Sequence, residues 1–209
     1  PSKVTKGEGV VGIDPGVSTV AFASPTEVAL VDLVPKNITR KEKLLKQLDQ
    51  KIERSRRVNN PECYQQDGTV KKGARFKRPS KRQVRLRNRR LKAYRSLSEE
   101  RKKLQGHLVN RIVSQASHIK VEELGVKGLQ KRSRDIRINP KTNRPYSKKR
   151  FGKAIFRAAP SSFRVALETR ASRLGIDVEV ISPKDVKPSQ YNHITQTFDN
   201  KPLSTRVYD

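Results

Sequence analysis

Apolar positions open the chain in short runs, lengthen to a helical period in the middle, and return to short runs near the end. Residues 10–13, 19–23 and 28–34 form three such runs, separated by Asp14-Pro15-Gly16 and by Ser24-Pro25-Thr26-Glu27. Breaks this short, made of turn-forming residues, predict a three-stranded antiparallel meander. From Thr39 the period changes, and Leu44, Leu45, Leu48 and Ile52 fall on one helical face with Lys and Arg on the other. Thr39 with Glu42 matches a capping box, so a helix is predicted from Thr39 to about Arg57. Residues 58–80 contain Asn59-Asn60-Pro61, Asp67-Gly68 and Lys72-Gly73. Turn chemistry recurring so often predicts a long irregular insertion, functional or disordered.

A second helix is predicted from Leu91, Tyr94, Leu97, Leu104, Leu108, Ile112 and Ala116, at mostly three- and four-residue steps. Ile119-Lys120-Val121 then reads as a short strand running into Glu122-Glu123. Residues 130–153 are basic and turn-rich without apolar periodicity, which predicts a mobile loop that orders on nucleic acid. After Pro160, Ser161-Ser162 begin a helix with Phe163, Ala166, Leu167, Ala171 and Leu174 on its apolar face and Gly175 as its stop. Residues 178–181 follow as a strand that Pro183 closes. Three strands, helices, strand, helix, strand is the order of an α/β domain, with an initial meander and later parallel strands joined by crossover helices.

Composition narrows the partners. The 209 residues hold 48 Lys and Arg against 20 Asp and Glu, a net charge of +28 that repels itself until a polyanion neutralises it. Between Lys71 and Lys103 there are 16 Lys or Arg and, of the acidic residues, only Glu99 and Glu100. A merely soluble helix would mix both signs, so this density predicts phosphate contact. Lys77, Arg78, Lys81, Arg82, Arg85, Arg89 and Arg90 are the candidates there. Lys131, Arg132, Arg134, Lys148, Lys149 and Arg150 are those of the later loop. No apolar run approaches the ~20 residues of a membrane span, and the start lacks a signal peptide's apolar core, so a cytoplasmic protein near nucleic acid is expected. The lone cysteine, Cys63, can form neither an internal disulfide nor a zinc site by itself and reads as a plain loop residue. A chain with no Met that begins at Pro1 and stops at Asp209, just after Val207-Tyr208, reads as an excerpt.

Two places could carry chemistry. The first apolar run delivers Asp14 to its own end, where the carboxylate is either a metal ligand or simply the residue that opens the Pro15-Gly16 turn. The second is Glu122-Glu123. Neighbouring side chains on a strand point to opposite faces, so one of the two can join Asp14 and the other cannot. A surface Glu-Glu before a turn is the plainer alternative.

Gly12-Ile13-Asp14-Pro15-Gly16 and Val121-Glu122-Glu123-Leu124-Gly125-Val126-Lys127-Gly128 carry a resemblance, together with Phe151-Gly152-Lys153, Arg157-Ala158-Ala159-Pro160 and the helix bearing Phe163, Leu167 and Ala171. In their order and spacing, over roughly residues 8–206, they resemble the RuvC-like nuclease region of TnpB proteins. These are the transposon-encoded RNA-guided endonucleases related to type V CRISPR effectors and long described as OrfB-family transposases. The resemblance implies an RNase H-like (RuvC) fold, a mixed sheet with flanking helices and basic helical and loop insertions. It implies an enzyme, a metal-dependent DNA endonuclease with Asp14 and Glu122 as catalytic metal ligands, Mg2+ or Mn2+ as cofactor, and guide RNA and target DNA as partners. The chemistry would be water attack on a phosphodiester, assisted by two divalent ions held by carboxylates.

The implied organisation is a linker at residues 1–9, a nuclease domain at 10–187 with basic insertions at 58–80 and 130–153, and a degenerate insertion region at 188–209. Two departures stand against the family pattern. Relatives carry a third aspartate on a helix beyond a zinc ribbon, whereas here Asp199 lies in a polar stretch and Asp209 is terminal. Where relatives have paired cysteines, this chain reads Ser189-Gln190-Tyr191-Asn192-His193, with His193 an ordinary polar residue. The 209 residues alone are therefore expected to cut DNA poorly or not at all. Two alternatives remain: a nuclease-dead RNA-guided DNA binder of the same fold, and a structural RNA-binding protein, which would explain the charge but not the Gly12–Gly16 motif.

Overall fold

The computed structural model describes residues 4–131, 138–140, 143, 151–183, 191–192 and 195–198. Five strands form its main sheet: β1 (Gly9–Pro15), β2 (Thr19–Ala23), β3 (Val28–Asp32), β4 (Ala116–Glu122) and β5 (Asp177–Ile181). They lie in the order β3-β2-β1-β4-β5. β1, β2 and β3 pair antiparallel through short hairpins, while β4 joins β1 and β5 joins β4 in parallel. Parallel neighbours need crossovers, and helices supply them. This mixed sheet with flanking helices has the strand order of an RNase H-like fold.

The turn after β1 is tight. The Gly16 amide donates to the Thr19 carbonyl at 2.8 Å, and a Cβ on Gly16 would meet Thr19 Oγ1 at 3.0 Å and its carbonyl oxygen at 3.1 Å. A side chain there would press on Thr19 by a few tenths of an ångström, so glycine suits the turn, which holds Asp14 at the strand end.

The chain divides into two units, Pro1–Leu33 with Gln105–Asp209 and Val34–Leu104. In the first, Val11, Ile13, Val20, Phe22, Ile119 and Val121 make one face of the sheet buried. The same core contains Leu108, Ile112 and Val113 of α2 (Lys81–Val113) and Phe163, Leu167 and Ala171 of α5 (Pro160–Arg173). The same unit holds two short helices, α3 (Val126–Gln130) and α4 (Gly152–Ala158), and a hairpin of β6 (Tyr191–Asn192) and β7 (Thr197–Phe198); of these, α4 adds Ile155 and Ala158 to the core. Buried Gln105 donates to the carbonyls of Ala158 at 2.9 Å and Ala159 at 3.2 Å. That bond anchors the α4–α5 junction, where Ala159 adopts φ 50° and ψ 58°.

In the second unit, α1 (Ile38–Asn59) runs antiparallel to the first part of α2, with Lys41 paired to Glu100 at 2.6 Å and Asp49 to Arg90 at 2.6 Å. Between the helices, residues 60–80 are tied down rather than loose. Buried Asn60 donates to the Arg56 carbonyl and accepts from the Lys77 amide, and Tyr64 packs edge-on against Phe76 under the Arg56 guanidinium. Cys63, expected as a plain loop residue, is buried and its thiol faces the Arg75 carbonyl at 3.3 Å. The insertion is folded because aromatic rings and one buried amide give it a small core of its own.

Other boundaries differ from the sequence reading. α1 starts after Asn37 with no side-chain cap bond, so Thr39 lies inside the helix and the capping box is absent. Ala116 belongs to β4, not to the second helix, and α2 begins ten residues before Leu91, which is 52% exposed. Leu44 is also exposed, outside the α1 face that buries Leu45 and Leu48. Among the described residues, no helix is long and apolar enough to cross a membrane.

Candidate carboxylate site and nucleic-acid interface

Alternation along β1 and β4 decides which side chains share a surface. Val11 and Ile13 are buried with Ile119 and Val121, so Asp14 and Glu122 belong to the opposite face. In the parallel ladder Val10 pairs with His118, Gly12 with Lys120 and Ile13 with Val121. The next step puts Asp14 level with Glu122, and Glu122 in turn pairs with Ile181 on β5. Two carboxylates thus stand side by side at the carboxyl ends of the central parallel strands.

Their proximity has an electrostatic consequence. Glu122 is held above the ordinary glutamate value of 4.5, first by partial burial and second by the negative charge of Asp14. A carboxylate pair in this state is a hard-oxygen donor set that a divalent cation would relieve, which is the chemistry Mg2+ or Mn2+ selects. The chemistry of this donor set fits such an ion, which Asp14 and Glu122 would hold. Among the described residues no group of three or more His, Cys, Asp and Glu could hold a metal. Asp199, Asp209 and His193 lie outside the described residues.

Glu123 turns away from the pair. Its amide donates to the Ile181 carbonyl at 2.9 Å, and its side chain lines a cavity of about 470 Å³ with Pro15, Leu124, Val126, Phe163 and Leu167. Below the carboxylate pair on the sheet surface, His118 sits between Asp177 (3.3 Å) and Glu179 (3.4 Å), and Lys120 reaches the same Glu179 at 3.4 Å. This ion cluster is invisible in the sequence because its partners are some 60 residues apart.

The basic candidates divide by what they already touch. Arg78, Lys81, Arg82, Arg85 and Arg89 are exposed on the approach to α2 and along it, and Lys131 is exposed just after α3. Lys77 pairs with Glu62 at 3.1 Å, while Arg90 pairs with Asp49 and lies over the Tyr94 ring at 5.3 Å. Arg132, Arg134, Lys148, Lys149 and Arg150 lie outside the described residues.

No family model and no curated protein matches the chain. One solved structure similar to it is described as the cryo-EM structure of the Cas12f1–sgRNA–target DNA complex, at 15% identity and a TM-score of 0.46. The match covers 95% of this chain and 34% of that one, so this chain spans about a third of that protein's length. The fold assignment stands on the strand order itself.

Proposed function

We propose that this chain is the nuclease domain of a TnpB-like RNA-guided DNA endonuclease. The observation that carries the reading is Asp14 beside Glu122 at the ends of two parallel strands of an RNase H-like sheet. A divalent cation held there would supply Lewis-acid activation of water and stabilisation of the leaving oxygen. The chain's own part is to fix two carboxylates on rigid strands, with the tight Gly16 turn on one side and the β4–β5 ladder on the other. Its exposed cations supply the second part, a grip on phosphate that is independent of base identity. Guide RNA and target DNA are the partners that the sequence resemblance implies.

The test uses the natural reading frame containing these 209 residues, purified with its RNA and given DNA with Mg2+ or Mn2+. Cleavage is expected, and Asp14→Ala or Glu122→Ala should abolish it while RNA binding persists. Retained binding without cutting under either ion would make the protein a nuclease-dead binder. The isolated 209 residues should cut weakly at most, because two carboxylates alone do not fix a second ion.

A further inference from the structure

Unit Val34–Leu104 carries 25 Lys and Arg against 7 Asp and Glu, yet the carboxylates are not spread evenly among the cations. Asp49 pairs with Arg90, Glu53 with Arg56 and Arg57, Glu62 with Lys77, Glu99 with Lys102 and Glu100 with Lys41. Asp67 is engaged by the backbone and hydroxyl of Thr69. One concavity of about 430 Å³ has no carboxylate in its wall. Its lining is Lys51, Arg54, Ser55, Val58 and Asn59 from α1, with Ser80 and Arg82 at the start of α2.

The α1 residues follow the spacing i, i+3, i+4, i+7, i+8, so they form a single stripe along the helix. Arg82 closes the concavity from the facing helix. Among the described residues, none of Lys51, Arg54 and Arg82 has an ion-pair partner. Three cations around one hollow repel one another, and an anion entering it removes that repulsion.

We propose that this concavity binds the phosphodiester backbone of nucleic acid, with Lys51, Arg54 and Arg82 as its charge contacts and Ser55 and Asn59 as neutral donors. The proposal rests on the nucleic-acid-binding part of the function proposed above and adds a site away from the carboxylate pair. Phosphate is favoured over a protein carboxylate for two reasons. Arginine forks and nearby hydroxyl and amide donors suit an ion with several equivalent oxygens. The exposed cations Arg78, Lys81, Arg85 and Arg89 also flank Ser80 and Arg82 in the sequence, so positive charge extends along the start of α2, which suits a repeating polyanion. Val58, 79% exposed in the lining, offers apolar surface to a sugar.

The experiment compares two triple variants of the 209-residue chain by fluorescence anisotropy against labelled single-stranded RNA and DNA oligomers over a salt series. One is Lys51→Gln/Arg54→Gln/Arg82→Gln, and the other, Lys36→Gln/Lys43→Gln/Lys46→Gln, removes equal charge from exposed positions elsewhere in the same unit. Thermal unfolding of both verifies that they fold. The first triple should lower the log-log salt slope by about 2, at roughly 0.7 per lost phosphate contact, and weaken binding about tenfold or more. The second should leave the affinity within about threefold of the parent chain. Equal loss on RNA and DNA supports the shared phosphodiester, and loss on one polymer assigns the hollow to that polymer. Equal effects of the two triples, or no effect of the first, would overturn the site while leaving the function proposed above intact. A parent chain that binds neither polymer in a salt-dependent way would overturn both.

Discussion

Asp14 and Glu122 stand at the same level on neighbouring parallel strands, and the charge of the first adds to partial burial in holding the second above its ordinary protonation range. Such a pair costs stability. A carboxyl whose folded-state value exceeds its unfolded value binds more protons when folded, so its contribution falls as pH rises through that window. Glu122→Gln should therefore raise the melting temperature at neutral pH in a metal-free buffer. The gain should shrink as pH falls toward 4.5, the ordinary value. Thermal melts of both chains between pH 4 and pH 7.5 check this, and a variant less stable than the parent at neutral pH would contradict it.

The opposite sign holds at Glu27, at the end of the turn between β2 and β3. Hydrogen bonds from Arg111 and then Gln115 hold its carboxyl below the ordinary range. Stability from this contact is present above the unfolded value of 4.5 and lost as pH falls through the lowered folded one. Glu27→Gln should destabilise the chain at pH 7 by an amount that vanishes under acid. A pH-independent loss would assign the effect to packing instead.

At the α4–α5 junction, Gln105→Ala leaves the Ala158 carbonyl in the core without its donor and should cost about 2 kcal/mol. Ala159→Gly should act the other way, by about 1 kcal/mol, because a left-handed backbone penalises a Cβ that glycine lacks. Urea unfolding of the two single variants measures both.

The meander, the α5 helix and the closing strand were legible because their apolar period and turn residues agree with the fold they enter. Gly175, at φ 63°, stops α5 where a glycine after the last apolar position predicts. The start of α2 was not legible. Its first residues are nearly all polar, and the helix there is defined by buried Gln83 and Leu86 and by Ser80, whose hydroxyl accepts from the Gln83 amide. Exposure of Val10, Val28 and Leu30 on the outer sheet face was likewise hidden, because an apolar residue in a strand does not say which face is covered. Of the carboxylate pair, the strand ends were readable from Gly12–Gly16 and Val121–Glu122. Their common level follows from the register between β1 and β4, which are about a hundred residues apart in the chain.

The most direct test of the central account is a Mn2+ titration of the 209-residue chain, followed by the loss of the free-ion electron paramagnetic resonance signal. The parent chain should bind Mn2+, and Asp14→Asn or Glu122→Gln should each weaken that binding by at least about tenfold. Mn2+ affinity unchanged in both variants would contradict the assignment of these two carboxylates as a metal-holding pair.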